Sequence, residues 1–186
     1  MPAPARTSTT AVVTAGRTIV EREGLAGLTM QAVADAVGVR APSLYKRVRD
    51  RAALVRLIAD DLAAELADQL DLAATTGDPV LDLRAVASAF RAFAHANPTA
   101  YPLLFDPRPG PSPEALDRSS AAVLAVAAAL AGEDRALPAA RTFVAWATGF
   151  VSMELAGAFQ LGGEVEEAWE YGVSLMAESL RPQATD

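Results

Sequence analysis

The chain has 186 residues, 52% of them hydrophobic and 21% charged, with a formal net charge of −7 and no cysteine. That balance indicates one generous folded domain, or a small one joined to a larger, and it excludes disulfides, thiolate metal sites and cysteine nucleophiles. The opening stretch MPAPARTSTT lacks the apolar centre of a secretory signal and no apolar run approaches membrane-spanning length, so a cytoplasmic protein without membrane contact is expected.

Charge is unevenly spread. Residues 1–60 carry nine basic side chains (Arg6, Arg17, Arg22, Arg40, Lys46, Arg47, Arg49, Arg51, Arg56) against five acidic ones, so the remainder is more acidic than the chain as a whole. Such asymmetry suggests that the first part meets a polyanion and the rest does not. Alanine and leucine dominate the composition, which favours helix throughout.

In chain order, residues 9–23 read as a first helix, with Val12, Val13, Ile19 and Val20 near one face and Gly24 as its stop. Thr29 suits the N-cap of a second helix over 30–37, which Gly38 ends in a left-handed turn. Pro42 fits the first turn of a third helix over about 41–48, and Asp50 the N-cap of a fourth. The series Leu54, Leu57, Ile58, Leu62, Leu66 and Leu70 keeps helical spacing along that fourth helix. AATTGDP at 73–79 is the expected linker, followed by helices at about 80–96, 113–131, 137–161 and 164–180. The expected fold is all-α: a three-helix helix-turn-helix domain over 1–50, a connecting helix over 51–72, and a helical bundle over 79–186.

The second and third helices form a helix-turn-helix pattern. Ala34 is small where two helices cross, Gly38 supplies the turn, and Val33, Val37, Val39 and Leu44 pin the pair together. Taken alone, the basic run 40–51 is usually a solvated helix face; the glycine turn, threonine cap, proline start and basic fourth-helix entry in one register favour a phosphate-facing surface instead.

LTMQAVADAVGVRAPSLYKRVRDRAAL resembles the DNA-binding segment of the tetracycline-repressor-like (TetR) transcriptional regulators, a resemblance that covers about residues 10–58. Val48 stands where the family often has phenylalanine, and Arg51 where it usually has lysine. The resemblance implies double-stranded DNA as partner, with Thr29, Tyr45 and Arg51 on phosphates. Gln31, Arg40, Ser43 and Lys46 would reach base edges, Ala41 and Pro42 a thymine methyl, and Arg47 either group.

FAHANPTAYPLLF and WATGFVSMELAG are similar to a C-terminal domain of that family named for a Trp-His-Gly motif, here Trp146, Thr148 and Gly149. By that resemblance a small-molecule effector is expected among Phe90, Phe93, Tyr101, Phe105, Phe143, Trp146, Phe150 and Glu154, with ordinary core packing as the plain alternative for the aromatics. Glu154 lies in an apolar helix and must find a partner, at a dimer contact, at an exposed face or on a ligand. His95, the single histidine, is expected to cap carbonyls at a helix end.

Gly149, Met153, Ala156, Trp169, Gly172, Leu175 and Met176 suit a helix pair packing against its copy. A homodimer also follows from the DNA logic, since one short reading helix contacts few bases and a twofold pair reads a palindrome. The reading is therefore a homodimeric, ligand-responsive regulator, most simply a repressor released by a small hydrophobic effector, with no metal or cofactor. A helical carrier without DNA binding is one alternative. A helix-bundle enzyme is another, disfavoured by the lack of a metal-ligand pair or a glycine-rich phosphate loop.

Overall fold

Ser8 opens the first helix: its hydroxyl accepts from the Ala11 N–H at 3.1 Å, satisfying one of the free donors of the first turn. The computed structural model describes residues 8–180, and among these are eight α-helices, two short 3-10 turns and no strand. The predicted all-α class is the observed one. Arg6, counted with the N-terminal basic residues, lies outside the described residues, as do the two ends of the expected 1–50 and 79–186 domains.

Helix α1 spans Thr9–Gly27 and breaks locally at Gly24 (φ 71°), so the expected stop is a kink followed by one further turn. Helix α2, Met30–Ala36, is capped by Thr29, whose hydroxyl accepts from the Ala32 N–H at 3.0 Å. Gly38 turns the chain at φ 71°, and the Val39 N–H donates back to the Ala34 carbonyl at 2.9 Å. Helix α3 is Ala41–Leu44, shorter than the expected 41–48, because the residues after Leu44 tighten into turns. Asp50 caps α4, Arg51–Ala73, accepting from the Ala53 N–H at 2.8 Å. The Ala53 N–H and the neighbouring Arg49 guanidinium hold the Asp50 carboxyl below its ordinary range.

Val12, Val20, Leu28, Val33, Leu44, Leu54 and Ile58 are fully buried, each contributing about 1.5–3 kcal/mol relative to exposure. α1 and α4 cross closely: a Cβ on Gly16 would stand 2.8 Å from Ile58 Cδ1. Val48 is buried, filling the position for which the family resemblance suggested phenylalanine.

The chain divides into two compact units that are not contiguous in sequence. One comprises the described part of Met1–Glu65 with Asn97–Leu116; the other comprises Leu66–Ala96 with the described part of Asp117–Asp186. The expected partition into 1–50, 51–72 and 79–186 differs from this, and the cause is visible at both joints. The 73–79 stretch is a braced turn within the second unit: Asp82 accepts from the Thr76 N–H (2.8 Å), the Thr76 hydroxyl (2.8 Å) and the Gly77 N–H (3.2 Å). The 97–116 segment, with its 3-10 turn Tyr101–Leu104, is held by the first unit's polar groups. Arg17 donates to Asn97 Oδ1 at 2.5 Å, Glu21 accepts from the Thr99 and Ala100 N–H groups, and Asp60 accepts from the Ser112 N–H at 2.7 Å.

The second unit contains α5 (Pro79–Ala96), most of α6 (Pro113–Ala131), the 3-10 turn Glu133–Arg135, α7 (Ala136–Leu155) and α8 (Val165–Ser179). α7 ends well before the expected residue 161, since Gly157 (φ 64°) turns the backbone. That turn brings the Phe159 ring to 4.8 Å, centroid to centroid, from Phe150. Phe150 meets Trp146 at 5.8 Å and Trp169 edge-on at 5.2 Å, while the two indoles stack at 5.0 Å. Gly172 permits this stack, because a Cβ there would lie 2.2 Å from Trp146 Cζ2.

Candidate functional site

In the first unit, α2, the Gly38 turn and α3 bring the predicted nucleic-acid side chains onto accessible surface. Thr29, Gln31, Arg40, Pro42, Ser43, Tyr45, Lys46, Arg47 and Arg51 are exposed, and Ala41 is partly so. Tyr45 is 52% exposed, unusual for a tyrosine beside fully buried Leu44. Thr29 uses its oxygen as a cap acceptor, which leaves its O–H able to donate outward.

Two of the ten have local partners that the sequence did not reveal. Gln31 donates to Asp35 Oδ1 at 2.8 Å, one turn along α2. Arg51 Nε donates to the Leu28 carbonyl at 2.7 Å and Nη2 to the Leu25 carbonyl at 2.5 Å. Its position at the start of α4 opposes that helix's dipole, but the carbonyl end of α1 offsets the cost. The Nε–Nη2 edge, one that could hold a phosphate bidentately, is thus engaged by backbone carbonyls.

The predicted effector residues do not form one group. Tyr101 and Phe105 belong to the first unit, where their rings meet edge-on at 6.4 Å. Phe90, Phe93 and Phe143 are buried in the second unit, and Trp146 and Phe150 pack in the aromatic cluster. Of the eight, Glu154 lines a cavity, of about 330 Å³, together with Ser88, Arg91, Ala92, His95, Glu166 and Trp169.

Glu154 finds its partner inside its own chain. Arg91 Nε donates to Oε2 at 3.0 Å and Nη2 to Oε1 at 2.7 Å, a side-on bidentate pair in which Arg91 and Glu154 are 15% and 13% exposed. Arg91 Nη1 reaches Glu166 Oε2 at 2.6 Å, and the guanidinium carbon lies 5.1 Å from the Trp169 ring centre. These bonds from Arg91 hold the Glu154 carboxyl below its ordinary range against the opposing effect of burial, and they raise Arg91. His95 Nε2 lies 3.1 Å from Glu154 Oε2, so the histidine pairs with a carboxylate and does not serve as the expected carbonyl cap. Arg91, His95 and Glu166 were missed as a set; Arg91 and His95 sit one turn apart on α5, the one signal the sequence offered.

Two predicted dimer residues are internal. Trp169 is 1% exposed against Trp146, and Gly172 is buried under the same indole. Gly149, Met153, Ala156 and Leu175 are exposed, and Met176 is partly so. The Thr148 hydroxyl, where the motif would have histidine, is buried with no hydrogen-bond partner among the described residues.

A short reading helix behind a glycine turn, basic and exposed, joined to a helical second unit, defines a helix-turn-helix regulator. Residues 83–176 match the family described as the tetracycline repressor-like C-terminal domain. A helix-turn-helix-type transcriptional regulator of Mycobacterium tuberculosis, itself uncharacterised, is 35% identical over 165 residues, 83% of this chain and 73% of that protein. The chain belongs to the tetracycline-repressor-like family, which makes it a DNA-binding transcriptional regulator and not an enzyme.

Its fold is similar to that of the Streptomyces coelicolor TetR-family protein ActR in complex with (S)-DNPA (TM-score 0.74, 14% identity, 95% of this chain and 98% of that one). It is likewise similar to a TetR variant of Acinetobacter baumannii in complex with minocycline (TM-score 0.72, 20% identity, 95% and 99%). At these identities the likeness concerns the fold. Among the described residues no helix is long and apolar enough to cross a membrane.

Proposed function

We propose that the protein is a cytoplasmic homodimeric repressor that binds a palindromic operator and releases it when a small-molecule effector occupies the second unit. The observation that carries this reading is the accessible surface of Thr29, Arg40, Ser43, Tyr45, Lys46 and Arg47 around a reading helix of four residues. So short a helix reaches few base pairs, and a twofold pair in successive major grooves supplies the missing specificity. Gly149, Met153, Ala156 and Leu175 offer α7 and α8 an exposed, largely apolar surface for a second copy. A small-molecule effector is in keeping with the TetR variant of Acinetobacter baumannii, similar in fold, which is in complex with minocycline. α4 gives its first part to one unit and its last part to the other, so a ligand that favours one packing of the bundle shifts the pair of reading heads through it.

The test is binding of the purified protein to DNA flanking its own gene, titrated with salt and with random DNA as competitor. One tight, salt-sensitive, palindromic site supports the reading. Absence of binding at low salt contradicts it.

A further inference from the structure

We propose that the cavity lined by α5, α7 and α8 recognises a monovalent organic cation, an amine or amidinium carried on a flat apolar body. This deepens the effector reading and depends on it only for the link to DNA.

The site holds two carboxylates, Glu154 and Glu166, one permanent cation, Arg91, and the His95 imidazole, whose Nε2 lies 3.1 Å from Glu154 Oε2. Glu154 is matched by Arg91 and His95, so a bound cation would balance Glu166, whereas an anion would meet that carboxylate at close range. Arg91 itself shows what the site accepts: a planar cation bonded to carboxylates and seated over the Trp169 indole. Arg91 is already matched side-on by Glu154 and takes only one oxygen of Glu166. Glu166 is 64% exposed, so it can turn to an incoming donor at little cost, while the less exposed Glu154 keeps Arg91 in place. The cavity, about 330 Å³, suits a ligand of one or two rings. An inorganic cation fits less well: among the described residues no group of three or more His, Cys, Asp or Glu side chains could hold a metal ion.

The experiment is calorimetric titration of the full-length protein with three probes of one shape, benzamidine, benzamide and benzoate. Benzamidine is expected to bind saturably and the other two not. Glu166→Gln is expected to weaken benzamidine at least about fivefold, and Glu154→Gln about tenfold or more. Glu166 is exposed, so its variant keeps the test sound if Glu154→Gln fails to fold. Preferential binding of benzoate, no saturable binding of benzamidine, or benzamidine binding unchanged in Glu166→Gln would each overturn the proposal. Operator binding is measured separately. Benzamidine that binds and lowers operator affinity supports both the cation site and its effector role; benzamidine that binds without changing it keeps the site and removes the role. A protein that binds no DNA loses the repressor reading, with the calorimetric result standing on its own.

Discussion

Arg51 Nε donates to the Leu28 carbonyl at 2.7 Å, tying the first residue of α4 to the end of α1 directly before the Thr29 cap of α2. A residue expected on DNA therefore also fixes the frame that carries the reading helix. Arg51→Ala is expected to lower stability by about 1–3 kcal/mol, measured by urea denaturation. The slope of log affinity against log salt should stay unchanged. A slope reduced by about 0.9 would assign Arg51 to a phosphate.

Tyr45 and Lys46 follow directly on the reading helix, both exposed and in different expected roles. Tyr45→Phe is expected to weaken operator and random DNA alike, by about 1 kcal/mol, through loss of one phosphate hydrogen bond. Lys46→Ala should relax preference at one base step by about 1–3 kcal/mol. A panel of single-base operator variants, read by anisotropy, separates the two patterns.

The Glu154–Arg91 pair makes stability depend on pH. The folded-state carboxyl titrates below its ordinary range, chiefly because Arg91 bonds to it, so its contribution is fully present above the unfolded value of about 4.3. It is lost as pH falls through the lower folded value. The stability gap between the wild type and Glu154→Gln, about 3 kcal/mol at neutral pH, should narrow in denaturation curves recorded below about pH 4. A gap that widens below about pH 4 would contradict the assignment.

Gly172→Ala forces a methyl group to within 2.2 Å of Trp146 unless the ring moves. A loss of about 1–3 kcal/mol is expected, together with a changed near-ultraviolet signal from the stacked indoles. An unaltered spectrum would mean that α8 shifts as a whole instead.

Leu175 is 46% exposed on α8. Leu175→Glu is expected to convert a dimer to a monomer in sedimentation and to lose operator binding by more than about tenfold, since each half-site would then bind alone. A variant that remains dimeric would move the interface off this face.

Much of the fold was legible because its signals are local. Thr29, Gly38, Pro42 and Asp50 each act on their own turn of chain, and each marks an observed cap or turn. The α7 end is not legible in AGAFQL, which combines helix-forming residues with apolar ones; Gly157 alone marks it, and Phe159 turns back onto Phe150 through space. Trp169 and Gly172, expected against a second copy, pack on Trp146 of their own chain; α8 is apolar on more than one face, and helical spacing does not say which face meets which partner. Glu154 announced that it needed a partner. That the partner was Arg91, 63 positions away, could be learned only from the packed structure.

The polypeptide passes between its two units after Glu65, after Ala96 and after Leu116. Exchanging reading heads among relatives to rewire which promoter answers to which signal is therefore not a single-cut operation. A graft of the helix-turn-helix alone would set a foreign α1 against Asn97, Thr99 and Ala100, which here bond to Arg17 and Glu21. A working hybrid has to import the 97–116 segment with its new head, or keep those two α1 side chains from the host.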